Sequence, residues 1–382
     1  MHILIATNSY KEALSAIHAT NIISDVIKQI CPNCLISQQP LSDGGHCFED
    51  ILVNSIGGRH ILCNTHNAIG NIIKTQYGIA PDNTTAIIEM AKTCALADIP
   101  IKYRNPLMTS SFGVGEQIIH AVNNGCNNII IGVGDTGTHD MGLGLLQALK
   151  FEFFDINNTL LPIAKGGNQL NKISRINDIN VDTKIKKCKF TIASDVKNSL
   201  LGKTGAAQTF APQKGATSDM VLELEKGALN FSKVLMKHTQ KNVTNIAGCG
   251  AAGGVGASML ALLNTEMASG IDLIIKHSKI EQKLKNGVDL VITGEGKLDN
   301  QSLTGKAPIE ISKLCKKYNI PVIAFCGVLD DENNQLSKTF TLIKEISPRN
   351  TTKQEALKQA SKNLEKAAYS VLKNYFKNKT LK

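Results

Sequence analysis

Short apolar runs of strand length alternate with amphipathic stretches from end to end of this chain, and that alternation admits few folds. Apolar runs too short for buried helices, each followed by apolar residues spaced three and four apart, give parallel strands joined by helical crossovers. Residues 2–6, 35–39, 86–90, 128–133, 189–194, 289–293 and 321–326 read as strands. Ala13, Ile17, Ile22, Val26 and Ile30 keep helical spacing between the first two, and Ile118, Ile119 and Val122 do so after Gly113. Near the C-terminus Leu357, Ala360, Leu364, Ala368, Val371 and Tyr375 share one face with lysines opposite, which predicts an amphipathic helix docked on the protein rather than on a membrane. The polar stretch 157–187 reads as loop-rich. At 382 residues the chain exceeds what one core usually serves, so two α/β domains are expected.

The formal charge of +10 does not make a nucleic-acid binder, because its lysines are dispersed and aromatics are 4% with no Trp. Arg59, Arg104, Arg175 and Arg349 are its arginines. The excess charge reads as solvated lysine that speeds the arrival of anionic substrates. Ten cysteines lack framework spacing, no secretory leader is apparent, and no apolar stretch approaches the roughly 18 residues of a membrane span. A cytoplasmic protein is expected. Cys31-Pro32-Asn33-Cys34 follows a helix and precedes a strand, the reverse of the thioredoxin-like order, and reads as a chance pairing; no second pair completes a zinc site.

Phosphoryl transfer needs backbone donors around phosphates, cations to offset charge, and a carboxylate that holds metal or accepts the hydroxyl proton. Several strand-to-loop junctions offer these. The apolar run Asp289-Leu290-Val291-Ile292-Thr293 empties into Gly294-Glu295-Gly296-Lys297-Leu298-Asp299, continuing to Ser302, Gly305 and Lys306. Glycines there permit close approach of a ligand, and Glu295 and Asp299 are candidate Mg2+ ligands. Gly248-Cys249-Gly250-Ala251-Ala252-Gly253-Gly254 opens a helical run and has three readings: a phosphate site at a helix N-terminus, a dinucleotide fingerprint lacking a firm strand at 241–246, or tight helix packing. Gly202-Lys203-Thr204 ends like a P-loop, but Lys197 stands where the opening glycine belongs. Residues 190–194 deliver Asp195 to a loop, and Pro212-Gln213-Lys214-Gly215 brings a lysine. Asn8-Ser9-Tyr10-Lys11 and Ser42-Asp43-Gly44-Gly45 follow the first two strands, and Arg104-Asn105 offers a guanidinium for a carboxylate.

Together these segments resemble the glycerate kinase family of bacterial type from Met1 to about Val328. The most specific matches are Ala193-Ser194-Asp195-Val196 with Leu200-Leu201-Gly202, Pro212-Gln213-Lys214-Gly215-Ala216, Gly250-Ala251-Ala252-Gly253-Gly254, and Thr293-Gly294-Glu295-Gly296-Lys297-Leu298-Asp299 with Gln301-Ser302 and Gly305-Lys306. The resemblance implies a flavodoxin-like parallel-sheet domain, residues 1–62 plus 288–382, split by an inserted α/β domain, residues 63–287. It implies transfer of the γ-phosphoryl group of ATP, with Mg2+, to D-glycerate, commonly at the 2-hydroxyl. Asp43, Asp195 and Lys11 are then expected at the reacting groups, with Ser9, Arg104 and Asn105 on the acceptor. Lys214, Gly253, Gly254, Gly294 and Lys306 are expected on the nucleotide, and Glu295 and Asp299 near the metal. The expected partners are a small hydroxy-acid and ATP, with no nucleic acid or membrane and with room for a homodimer.

Three loops depart from the family pattern. Asn8 and Glu12 replace an acid and a glycine, His46-Cys47-Phe48 replaces Glu-Gly-Thr after Asp43-Gly44-Gly45, and Asp135 replaces a glycine in Gly134-Asp135-Thr136-Gly137-Thr138-His139-Asp140. Asp135 adds negative charge, and His46 and His139 have two readings, titration near neutrality that compensates for the lost acids or, more commonly, mere tolerance at a polar surface. A kinase of a related hydroxy-acid, an impaired binding paralogue and an NAD-dependent dehydrogenase stand as alternatives.

Overall fold

The computed structural model describes residues 1–331, 334–348 and 350–380, with the side chains of Gln301, Thr304, Lys379 and Thr380 outside the description. Arg349 lies outside the described residues. Two compact units form, Met1–Asp43 with Ile271–Lys382, and Gly44–Gly270.

In the discontinuous unit five strands, all parallel, lie in the order Leu342–Glu345, Val322–Asp330, Leu290–Asp299, His2–Thr7, Leu35–Gln38. Ile3, Leu4, Ile5 and Ala6 are all buried, as expected of a parallel strand covered on both faces. Ile3, Ile5, Ile292 and Ile323 share a core with Ile23 and Ile27 of helix Ala16–Ile30 and with Leu364, Ala368 and Leu372 of helix Ala360–Thr380. The C-terminal amphipathic stretch thus docks as its spacing predicts. Helix Ala307–Lys316 meets strands 2–7, 290–299 and 322–330 outside that cluster. Numbered along the unit, the strand order is 2-1-3-4-5, so direction reverses between the first and third strands. Open α/β sheets gather ligands outside the carboxyl ends of their strands at such a point.

The second unit carries a six-stranded sheet ordered Thr265–Ala268, Lys189–Ala193, Asn128–Gly132, Thr85–Glu89, Ile72–Ile79, Arg59–His66. The first four are parallel; the last two form an antiparallel edge. The segment 157–187 holds short elements only, the strand Arg175–Asn177 among them.

The units part at 43/44 and 270/271, earlier than the 62/63 and 287/288 read from strand placement. Helix Phe48–Ile56 explains the first shift: the buried carboxylate of Glu89, at the end of strand Thr85–Glu89, accepts hydrogen bonds from the amides of Cys47 (3.2 Å) and Glu49 (3.1 Å). Those bonds tie the helix to the second sheet.

One reading is corrected. Cys31 and Cys34 form a disulfide, because helix Ala16–Ile30 ends at Ile30 and the following turn, closed by the Cys34 amide on the Cys31 carbonyl, sets their Cα atoms 5.5 Å apart. The other eight cysteines are reduced and buried.

Candidate functional site

The expected site residues fall into two sets, one in each unit. In the discontinuous unit, strand Leu290–Asp299 does not end at Thr293. Its ladder with Val322–Asp330 runs on to Asp299 opposite Asp330, so Glu295 and Asp299 stand on a strand rather than in a loop. The Glu295 carboxylate is 5% exposed and accepts from the Ser302 hydroxyl at 3.1 Å, with the Lys306 ammonium 3.8 Å away. Burial pushes its pKa up to about 7, and the nearby charges of Asp43 and Asp299 add to the rise, while Lys306 and Ser302 oppose it. Burial also acts on Asp299, but Lys306 at 3.6 Å, Lys297 at 3.2 Å and Ser302 hold its carboxyl below the usual range. Asp299 accepts from the Ser302 amide while its own amide donates to the Ser302 hydroxyl, a reciprocal cap on the turn Asn300–Thr304.

The first loop lies against the same strand. Asn8 donates its amide to the Gly294 carbonyl at 2.8 Å, and the Asn8 side chain accepts from the Ser9 amide. Tyr10 donates its hydroxyl to the Phe325 carbonyl at 2.9 Å. A Cβ on Gly294 would come within 2.5 Å of that hydroxyl and 2.2 Å of the Phe325 oxygen, so protein atoms fill the space that the sequence reading kept for nucleotide. A Cβ on Gly296 would sit 3.1 Å from the Lys11 amide. Ser9, Lys11, Gly294, Glu295, Asp299 and Lys306 therefore line one edge of this unit, with the charge of Asp43 felt at Glu295.

Replacing Ser302 with Ala removes the hydroxyl that donates to Glu295 and accepts from Asp299. The Glu295 carboxyl should then titrate above its present value of about 7, and the lost bonds should cost about 1 kcal/mol of stability. A 13C NMR titration of that carboxyl, with unfolding in urea alongside, checks both; an unmoved titration refutes the link.

In the second unit, several motifs converge on the segment 138–141. Lys214 is 2% exposed and donates to the Thr138 carbonyl at 2.6 Å; burial pulls its pKa down to about 8. The turn Pro212–Lys214 rests on Arg104, since a Cβ on Gly215 would lie 2.2 Å from the Arg104 carbonyl oxygen. Arg104 donates its Nε to the Ile99 carbonyl at 3.0 Å, and the Asn105 side chain accepts from the Leu107 amide. Gly253 accepts from the Met141 amide, and a Cβ on it would stand 2.5 Å from the His139 Cα. A Cβ on Gly254 would meet Met141 at 2.7 Å. These two glycines, both at left-handed φ, are thus required for packing on 139–141. The loop after Asp195 joins the same turn, with the Gly250 amide donating to the Asn198 carbonyl at 2.9 Å.

The sequence reading undervalued Asp140 and misjudged His139. Asp140 is wholly buried and accepts from the Ser111 amide and hydroxyl and from the Gly142 and Gly144 amides, all within 3.2 Å. It anchors the starts of helices Phe112–Asn123 and Leu143–Ala148. Burial drives the His139 pKa well below its ordinary value, with Lys214 adding to the fall, so the reading of titration near neutrality is overturned. His46, by contrast, is exposed. Its amide donates to the Asp135 carboxylate at 3.0 Å, and Asp135 takes a φ of +56°, so two of the three departing loops are joined to each other.

No strand precedes the glycine turn: residues 241–250 are turns and irregular chain. A dinucleotide fingerprint needs that strand, so the dehydrogenase reading loses its structural support.

The two sheets, with parallel strands at the core of each, define a mixed α/β protein. The sequence profile of the Glycerate kinase family matches residues 3–375, and the chain belongs to that family. It is 35% identical to the glycerate kinase of Halalkalibacterium halodurans and 35% identical to the glycerate 2-kinase of Escherichia coli, over 97% of each chain in both cases. A crystal structure from Salmonella typhimurium LT2, of a protein assigned as glycerate kinase 2, superposes over 100% of both chains with a TM-score of 0.82 at 34% identity.

Proposed function

We propose that this chain is a glycerate kinase that moves the γ-phosphoryl group of ATP to the 2-hydroxyl of D-glycerate, giving 2-phosphoglycerate and ADP. Family membership sets the reaction class. One observation carries the residue-level reading: Glu295, Asp299, Ser302 and Lys306 gather beside the first loop at the point where the strand order reverses.

Glu295 and Asp299 suit Mg2+. A carboxylate held at a raised pKa by burial, with its lysine beyond hydrogen-bond distance, lacks the opposite charge that a dication supplies. Bound there, Mg2+ would offset the negative charge of the phosphates. Asp43 accepts the proton of the attacking hydroxyl, while Lys11 and Ser9 orient the acceptor and Lys306 holds a phosphate oxygen. In the second unit the corresponding candidates are Arg104 and Asn105 for an acceptor carboxylate, Asp195 for a base and Lys214 for phosphoryl oxygens. The strand order 2-1-3-4-5 supports a flavodoxin-like domain, with the unit Gly44–Gly270 as its insertion. The eight reduced cysteines favour the cytoplasm, and no helix among the described residues is long and apolar enough to cross a membrane.

The bond between His46 and Asp135 supports a second reading, a kinase whose acceptor has shifted to a related hydroxy-acid. ADP release from MgATP, measured with D-glycerate and a panel of hydroxy-acids, tests both. Release with D-glycerate is expected; release with another acid alone selects the second reading, and none with any acid overturns the kinase assignment.

A further inference from the structure

We propose that Glu89 is a positioning residue for phosphoryl transfer: its ionised carboxylate holds the loop that follows Asp43, and through that loop the setting of Asp43, so that turnover follows the charge of Glu89. The inference rests on the reading of Asp43 as the base of a kinase. Its starting point is a helix start without a cap of its own. Cys47 stands at the N-cap position of helix Phe48–Ile56, at a φ of +63°, and its side chain makes no capping bond. The amides there are met instead from strand Thr85–Glu89. One carboxylate oxygen of Glu89, Oε1, accepts from the Cys47 amide at 3.2 Å, and the other, Oε2, from the Glu49 amide at 3.1 Å. Each donor has its own acceptor, an arrangement that a glutamine or a protonated glutamate cannot reproduce, since one of the two positions then carries hydrogen.

Asp43 stands in a short span between anchors. Leu41 donates its amide to the Thr7 carbonyl and Gly44 accepts from the Gly134 amide, both at 2.9 Å, with Ser42 and Asp43 between them. Gly44, at a φ of +94°, and Gly45 give the next stretch wide backbone freedom, so its path depends on what holds the chain beyond them. The His46 amide on Asp135 and the two amides on Glu89 do this. The surroundings make the charge of Glu89 expensive. Glu89 is 1% exposed and is faced by Lys92 of helix Ala91–Cys94, by Glu49 and Asp50 of helix Phe48–Ile56, by the Cys47 thiol, and by His46, whose Nδ1 lies 4.0 Å away. Lys92 is engaged with Asp50 at 2.7 Å and Glu49 at 3.6 Å, while His60 and Gln76 on the neighbouring strands turn to Glu49. One lysine thus serves three carboxylates. Burial raises the Glu89 pKa to about 7; Lys92 and the Glu49 amide oppose the rise, and Asp50 and Glu49 add to it. A neutral side chain would spare the protein that desolvation, and what the carboxylate alone supplies is the second acceptor.

The test follows ADP release from MgATP and D-glycerate by the full chain and by Glu89→Gln at pH 8.5 and pH 5.5. The variant's kcat should be roughly tenfold below the parent's at pH 8.5, where the parent carries the charge. It should match the parent at pH 5.5, where a protonated glutamate and a glutamine offer the same single acceptor. The folded carboxyl keeps its proton up to about 7 and the free one up to about 4.5, so stability is lost as pH rises between them, and the variant's Tm at pH 8.5 should equal or exceed the parent's. A variant slowed equally at both pH values marks a merely structural residue and overturns the proposal, as does one unslowed at pH 8.5. The parent provides a second measurement that needs no variant. In 1H–15N spectra the Cys47 and Glu49 amides should move upfield together as pH falls through about 7, with the midpoint of the Glu89 13C carboxyl resonance. Amides that hold still show that the carboxylate does not hold the loop, and overturn it. ADP release by an unslowed variant defeats the positioning role alone; titrating amides without release from any acid defeat the kinase reading alone.

Discussion

Replacing Lys214 with methionine should lower kcat/KM by about 100-fold or more and yet stabilise the protein by about 1–2 kcal/mol at pH 7. Both effects come from one buried ammonium. Burial lowers its pKa from 10.5 to about 8, so between those values the unfolded chain binds a proton that the folded chain has released. Stability therefore rises as pH climbs through that window, and below it the folded state carries a penalty of roughly 3 kcal/mol. The bond to the Thr138 carbonyl returns only about 1–2 kcal/mol of this. Methionine keeps the volume and removes the charge. Urea unfolding at pH 7 and pH 10 checks it: the variant's advantage should shrink at the higher pH. A variant less stable than its parent at pH 7, or one that retains activity, sinks the account.

Glu295→Gln should behave alike with the opposite pH sign. The folded carboxyl binds its proton up to about 7 where the free one lets go near 4.5, so stability is lost as pH rises through that interval. Removing the group should make the protein more stable at pH 8 than its parent by up to roughly 3 kcal/mol, and should erase the difference at pH 4. Phosphoryl transfer should fall about 100-fold or more and respond weakly to added Mg2+. Glu89, also pushed to about 7 by burial, remains in the variant, as do the raised carboxyls of Glu49 and Asp140, so part of the parent's loss of stability across this interval should persist. Because Glu89 and Glu295 lie in different units, two unfolding transitions with separate pH dependence are the natural way to resolve them. A variant with unchanged Mg2+ dependence would refute the metal assignment.

Much of the fold was legible because parallel strands buried on both faces write themselves as continuous apolar runs. Ile3-Leu4-Ile5 and Val291-Ile292-Thr293 are of this kind, and helix Ala16–Ile30 announces its start with Ser15, whose hydroxyl accepts from the His18 amide. The antiparallel strands Arg59–His66 and Ile72–Ile79 were missed for the complementary reason. One face of each meets water, so histidine, asparagine and lysine interrupt the pattern.

The candidate site was legible as residue types and not in its burial. Glu295, Asp299, Lys306 and Lys214 were found as charged groups beside glycines, which is a statement about local chain. That Glu295 and Lys214 are almost wholly buried, and so carry pKa values near 7 and 8, depends on segments such as those of Tyr10 and Thr138, brought in from elsewhere in the fold.

The order of residues alone determined the parallel α/β class and the family, because periodicity and short motifs are local and survive without knowledge of neighbours. Only the tertiary structure decided that strand Leu290–Asp299 runs on through its acids, that Gly253 is small to admit His139, and that His139 is neutral. Those outcomes turn on desolvation and close packing between segments far apart in the chain, which no reading of one segment contains.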